Sequence, residues 1–317
     1  MKVTAKVTVL AGGVGAGKFL RGLVRAVPPE DLTVIVNTAD DIRMHGLYVS
    51  PDVDSVTYWL GDVADRERGW GRAGETFRAT EELKALGAPD AWFGLGDLDL
   101  ATHLFRTAAL GRGVGLATVT AAVARHFGVP CRLLPMSEDP VTTRIDAVDE
   151  HGRASDLHFQ EYWVLRGARD DVKGIRYDGA ATAGPAPGVL EAIEDAGTIV
   201  VCPSNPVASI GPILAVPAIG AAVRERRDRV VGVSPIVAGA PLRGMADRLM
   251  PAAGFEVSAV GAAAFYEGSL AAWVIDERDR GLASRVEALG LRVGVTDSIM
   301  DDDGKAESLA RAALGLL

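Results

Sequence analysis

The chain has 317 residues, 48% of them hydrophobic and 24% charged, and a formal net charge of −9. That composition supports a large buried core, and an acidic chain without a basic run excludes a nucleic-acid backbone as partner. Cys131 and Cys202 stand far apart with no Cys/His cluster, which excludes a disulfide framework and a zinc site. The leading Met-Lys-Val-Thr-Ala-Lys lacks an apolar signal core, and no run approaches the ~18 apolar residues of a membrane span. The expectation is a cytoplasmic protein, neither exported nor inserted in a membrane.

In chain order, residues 6–11 read as a buried strand, 12–18 (Gly-Gly-Val-Gly-Ala-Gly-Lys) as a glycine loop, and 19–27 as a helix with Phe19, Leu20, Leu23 and Val24 on one face. Gly12 and Gly17-Lys18 meet most of the Walker spacing, but Phe19 stands where the magnesium-binding hydroxyl belongs. A dinucleotide fingerprint also fails, because Lys18 holds its third glycine position. What survives is more general. Bare backbone at Gly12, Gly13 and Gly15 can approach a phosphate or ribose at a helix start whose free N–H groups favour anions. A tight turn packing helix on strand explains the same glycines.

Residues 32–36 read as the next strand, and the stretch that follows carries Asp40, Asp41, Asp52 and Asp54. In an open α/β sheet a loop leaving a strand's carboxyl end lies at the ligand edge. Gathered carboxylates stay near water or take a cation, and Mg²⁺ suits such a loop because one or two carboxylates plus water and phosphate oxygens satisfy it. Helix capping by Asp52 or Asp54 after Pro51, with Asp40 and Asp41 in a solvated turn, is the plainer alternative.

Residues 62–74 form an exposed loop around Trp70, and 75–86 have helical spacing. Asp97 or Asp99 suits the N-cap of a helix carrying Leu100, His103 and Leu104. A lone histidine on an apolar helix is more often structural than functional. A helix over 114–127 completes a helical insertion at about 52–128. Strands at 131–135, up to 148, at 158–164 and at 172–177 make a β-rich insertion at about 136–180. A helix at 188–196 and a strand at 198–202 then lead to Ser204, Asn205 and Ser209, neutral groups suited to a base, ribose or phosphate. Strands at 229–233, 273–276 and 291–296 and a helix at 306–317 close the chain. The whole reads as one doubly wound, mostly parallel Rossmann-like α/β domain, with the loops after residues 11, 36, 201 and 233 meeting at one edge.

Several motifs then match one family in order. Gly12-Gly-Val-Gly15, Val36-Asn-Thr-Ala-Asp-Asp41, His45-Gly-Leu, Pro51-Asp-Val-Asp54, Arg68-Gly-Trp-Gly71, Gly94-Leu-Gly-Asp97, Asp99-Leu-Ala-Thr-His103, Pro203-Ser-Asn-Pro206 with Ser209-Ile-Gly-Pro212, and Ser234-Pro-Ile resemble the 2-phospho-L-lactate transferases of deazaflavin coenzyme F420 biosynthesis. The resemblance implies a guanosine-diphospho-linked 2-phospholactate or phosphoenolpyruvate donor, the deazaflavin Fo as acceptor through its ribityl hydroxyl, release of GMP, and a homodimer. The Arg-Gly-Trp-Gly version resembles the actinobacterial branch, which favours the phosphoenolpyruvyl donor.

Carried over by motif, the resemblance implies Mg²⁺ on Asp40 and Asp54, with Asp54 also facing the acceptor hydroxyl. Substrate contacts are implied at Gly12, Gly13, Gly15, Asn37, Asp41, His45, Asp97, Asp99, His103, Ser204, Asn205, Ser209 and Ser234. Asp52 is then the better capping residue, and Asp41 either lies behind the ligands or is solvated. One departure stands out: the family has a basic residue between the aspartates of Gly-Asp-x-Asp, where this chain has Leu98, so Arg106 or Arg144 must supply that cation or activity falls. A related group of nucleotide-sugar-binding regulators shares the glycine loop and the Ala-Asp-Asp segment. It is the competing, non-catalytic reading.

Overall fold

The computed structural model describes residues 6–317, so the segment before Lys6, where the N-terminal reading began, lies outside the described residues. Short apolar runs rich in β-branched residues make the strands of one sheet: β1 (Val7–Ala11), β2 (Leu32–Val36), β3 (Arg132–Pro135), β4 (Thr198–Val201), β5 (Val230–Val233), β6 (Ala272–Asp276) and β7 (Arg292–Thr296). All seven are parallel, in the order β7-β6-β5-β4-β1-β2-β3. The order reverses at β1, between β2 and β4, which makes the carboxyl ends of β1 and β4 the topological switch point. This is the expected Rossmann-like architecture.

Both sheet faces are buried, which is why the strands read as near-continuous apolar runs. Val7, Val9, Val34, Val200 and Val231 join Phe19, Leu20, Leu23, Leu309 and Ala310 in one core, under α1 (Gly13–Ala26) and the last helix, Asp303–Leu314. The alternate residues Leu10, Ile35, Ile199, Val201 and Trp273 face the other core. Among the described residues no single helix is long and apolar enough to cross a membrane.

Three local expectations are corrected. The helix after β1 starts at Gly13, so 13–18 is its first turns and not a loop. Gly12 is extended and Gly13 has φ +69°, which turns strand directly into helix as only glycine does easily. Residues 158–164 do not continue a strand. Ala154–His158 is the edge of a three-stranded antiparallel sheet with Thr142–Val148 and Asp171–Asp178, and Glu161–Leu165 is a π-helical turn whose Glu161 carboxylate accepts from the His158 N–H at 2.8 Å.

The third correction concerns Asp97 and Asp99, which cap nothing on their own helix. The segment between β2 and β3 holds a small hairpin (Ile42–Met44, Leu47–Val49), α2 (Pro51–Leu60), α3 (Arg78–Ala85), α4 (Asp97–Gly111) and α5 (Leu116–His126). The N-cap of α4 is Gly96, without a side-chain bond. Asp97 instead accepts from the Ala79 N–H at 3.0 Å and the Arg78 N–H at 3.3 Å, tying off the start of α3.

Phe19 is fully buried between α1 and the sheet, whereas Leu86 is 74% exposed. Phe19→Ala is expected to cost about 3–5 kcal/mol and Leu86→Ala to stay within about 0.5 kcal/mol. Urea denaturation of both variants checks the difference.

Candidate active site

A cavity of about 910 Å³ opens at the carboxyl edge of the sheet, across the switch point. Gly12, Gly13 and Gly15 come to it from β1, Asp40, Asp52 and Asp54 from the chain after β2, Ser204, Asn205 and Ser209 from β4, Ser234 from β5, and Ser298 and Asp301 from β7. The β1 and β4 loops touch. The Ser204 hydroxyl donates to the Gly12 carbonyl at 2.8 Å, and a Cβ on Gly12 would lie 2.7 Å from that of Ser209. Glycine is therefore required there by close approach, which also leaves the start of α1 bare toward the cavity.

The acidic floor is held by amides. Asn37 donates from Nδ2 to Asp52 at 3.0 Å and to Asp40 at 3.4 Å, and its Oδ1 accepts from the Ala39 N–H at 2.9 Å. Gln160, at the end of the antiparallel sheet, donates to the other Asp40 oxygen at 2.9 Å. Burial, followed by the charges of Asp52 and Asp41, pushes Asp40 well above the usual carboxylate range. Burial raises Asp52 to about 6 against the bonds it accepts from Asn37 and the Gly13 N–H.

Asp52 was expected to cap α2. The structure shows no side-chain cap there: Asp52 is buried in the first turn and turns to Asn37 and Gly13. Proximity to the floor wins because an amide donor and a backbone N–H compensate its burial.

Asp54 is paired with Arg106 of α4, both nearly inaccessible. Arg106 Nη1 reaches one oxygen at 3.0 Å and Nη2 bonds the other. Nη1 also lies 3.2 Å from His103 Nδ1. His103 Nε2 faces Asp99 at 3.5 Å, and the Tyr58 hydroxyl donates to Asp99 at 2.5 Å. Burial would raise Asp99, but His103, Tyr58 and Arg106 together hold it below the ordinary carboxylate value. The lone histidine is thus part of a buried polar cluster, of which Asp54, Tyr58, Asp99 and His103 line the cavity.

Of the residues implied by motif, eleven line the cavity, namely Gly12, Gly13, Gly15, Asp40, Asp54, Asp99, His103, Ser204, Asn205, Ser209 and Ser234. Asn37, Asp41, His45 and Asp97 do not. Asn37 supports the floor from beneath. Asp41 accepts from Ser50 Oγ at 2.6 Å behind it, and His45 sits in the hairpin turn with φ +52°. Leu98 is 45% exposed and also outside the cavity wall, while Arg144 pairs with Asp156 on the antiparallel sheet. Arg106 is the one of the two suggested cations at the site.

Sequence reasoning missed Gln160, hidden in what reads as a strand, and the aromatic side of the cavity, made by Trp70, Trp92, Phe93, Phe159 and Trp163. Arg68 stacks on Trp70 and on Phe77, each at 5.0 Å, so the Arg-Gly-Trp-Gly motif carried a signal of that wall.

The carboxylates fit a magnesium ion. Among the described residues no three acidic, histidine or cysteine side chains form a complete cage. Mg²⁺ does not need one, and Asp40 and Asp52 are buried together with amide partners and no paired cation.

Sheet, bare helix start and buried acidic floor define a Rossmann-like α/β protein with an acidic cavity at its switch point. Residues 7–303 match the model of the family described as 2-phospho-L-lactate transferase CofD. The chain is 49% identical to the phosphoenolpyruvate transferase of Streptomyces griseus, over 98% of each chain. It is 40% identical to the 2-phospho-L-lactate transferase of Methanosarcina mazei, over 95% of this chain and 97% of that one. A solved structure from Bacillus halodurans, a member of the upf0052 family, shares the fold with a TM-score of 0.64 at 18% identity, over 99% of each chain. The chain belongs to the CofD family and is a transferase.

Two outcomes follow from the geometry. Arg106→Met strands a buried Asp54 charge and is expected to destabilise the fold by about 3–5 kcal/mol, and the double variant Asp54→Leu, Arg106→Met by less than the single one. Denaturation of both checks this. Burial, opposed by bonds from Ser50 and Tyr48, raises Asp41 from 3.8 to about 8. Between those values the folded state binds the extra proton, so this group makes stability fall as pH rises through that window. Asp41→Asn is expected to flatten the decline, read by urea midpoints across the window.

Proposed function

We propose that the enzyme moves a phosphoenolpyruvyl or 2-phospholactyl group from a guanosine-diphospho-linked donor to the ribityl hydroxyl of the deazaflavin Fo, in coenzyme F420 biosynthesis. The hydroxyl oxygen bonds to the phosphorus that carries the lactate or enolpyruvate oxygen, the bond from that phosphorus to the oxygen of GMP breaks, and the hydroxyl proton passes to solvent. Similarity to named phosphoenolpyruvate transferases at 49% identity, against 40% for a named phospholactate transferase, favours the phosphoenolpyruvyl donor.

One observation carries the reading: a bare helix start, a buried acidic floor and a hydroxyl- and amide-bearing loop meet in a single cavity at the switch point. Phosphoryl transfer is mostly positioning and charge neutralisation, and these are the parts it needs. Mg²⁺ would be held by Asp40 with a second aspartate. The resemblance implies Asp54, but Arg106 engages both Asp54 oxygens, so we place Asp52 beside Asp40. When bound, the ion neutralises charge on the diphosphate.

The bare backbone of Gly12 and Gly13 and the Ser204 to Ser209 loop receive the nucleotide side of the donor. Asp54, oriented by Arg106, faces the acceptor hydroxyl and accepts its hydrogen bond. The aromatic wall of Trp70, Trp92, Phe93 and Trp163 supplies flat apolar surface for a tricyclic ring.

Purified protein with Mg²⁺, Fo and the guanylylated phosphoenolpyruvate donor is expected to yield GMP and a phosphodiester of Fo by mass spectrometry. Asp40→Asn and Asp52→Asn should each lower turnover at least about 100-fold, as loss of a charge-stabilising group does. Trp163→Ala should raise the KM for Fo and leave that for the donor. Unchanged Fo at saturating donor would sink the proposal.

A further inference from the structure

The motif that failed as a Walker loop leaves one residue unexplained, Lys18. It stands one and a half turns into α1 and lines the cavity beside Gly12, Gly13 and Gly15. Its ammonium lies 5.9 Å from the centre of the Trp59 ring. Gly17 makes that placement possible, since a Cβ there would fall 2.6 Å from Trp59 Cγ. The glycine before the lysine thus lets α2 close on α1, and the Trp59 face carries the lysine stem.

The other cations of the cavity wall, Arg68 and Arg243, each hold a protein partner. Arg68 pairs with Asp65 at 2.9 Å and donates to the Arg72 carbonyl at 3.0 Å, and Arg243 donates to the Arg68 carbonyl at 2.9 Å. Lys18 has no hydrogen-bond or ion-pair partner among the described residues. Asp301, the carboxylate across the cavity that feels its charge, is held by Lys305 at 2.7 Å. An acidic floor repels a polyanion, so an uncommitted cation at the bare helix start is the group that offsets this.

We propose that Lys18 binds the diphosphate of the donor as a point charge, in addition to any metal ion, and so sets the preference for a nucleoside diphosphate over the nucleoside. This rests on the proposed guanosine-diphospho donor. It assigns to Lys18 the phosphate-binding part of a Walker lysine, without the hydroxyl-bound magnesium of that motif.

The test is calorimetric binding of GDP and of guanosine to the wild-type protein, Lys18→Met and Lys18→Arg, in magnesium-free buffer at two salt concentrations. Lys18→Met is expected to weaken GDP about 10- to 100-fold, to leave guanosine unchanged and to reduce the salt dependence of GDP binding, with partial recovery in Lys18→Arg. Circular dichroism and thermal midpoint should match wild type. Equal GDP affinity in wild type and Lys18→Met overturns the inference while leaving the donor assignment intact. Absence of GDP binding to the wild type overturns both.

Discussion

Aspartates taken out of water at the end of β2 are the constraint on which the rest of the structure depends. Asp40, Asp52 and Asp54 are each more than nine-tenths buried, and like charges so placed raise one another's cost. The protein answers in two ways. Asp54 receives a complete guanidinium from Arg106, which reaches it from α4. Asp40 and Asp52 receive neutral donors, the side-chain amides of Asn37 and Gln160 and the Gly13 N–H, which compensate burial without neutralising charge. That asymmetry divides the floor into a part paired with a cation and a part held by neutral donors.

The fold supplies the remaining parts by geometry. A parallel sheet whose order reverses at β1 brings the loops of β1 and β4 side by side, and glycine at 12 and 15 lets them touch. The helix start so exposed attracts negative charge, while the floor repels it. The ligand best suited to such a field is a polyanion that arrives with, or meets, positive charge. The insertions after β2 and β3 close the opposite side with Trp70, Trp92, Phe93 and Trp163, giving the cavity one polar and one aromatic half.

Much of this was legible in the chain. The strand at 32–36, Pro51 at the start of α2 and the convergence of four strand-end loops follow from apolar period and turn chemistry, which are local. What misled were signals with two physical solutions. The alternation around 158–164 fits a strand, yet the chain forms a π-helical turn there and delivers Gln160 to Asp40. Asp97 looks like the cap of its own helix, yet its carboxylate ties off α3, because a neighbouring helix start lies within reach. Asp52 looks like a cap and is part of the floor.

The sequence by itself determined the Rossmann-like class, the sheet edge at which the cavity opens and, through ordered motifs, the family, since these depend on periodicity and on residue types at fixed spacing. Only the tertiary structure decided the partners of the carboxylates. Arg106 lies 52 residues from Asp54 and Gln160 lies 120 residues from Asp40. No local pattern encodes such pairs, because they arise when separate elements pack on one sheet and each buried charge takes the nearest donor.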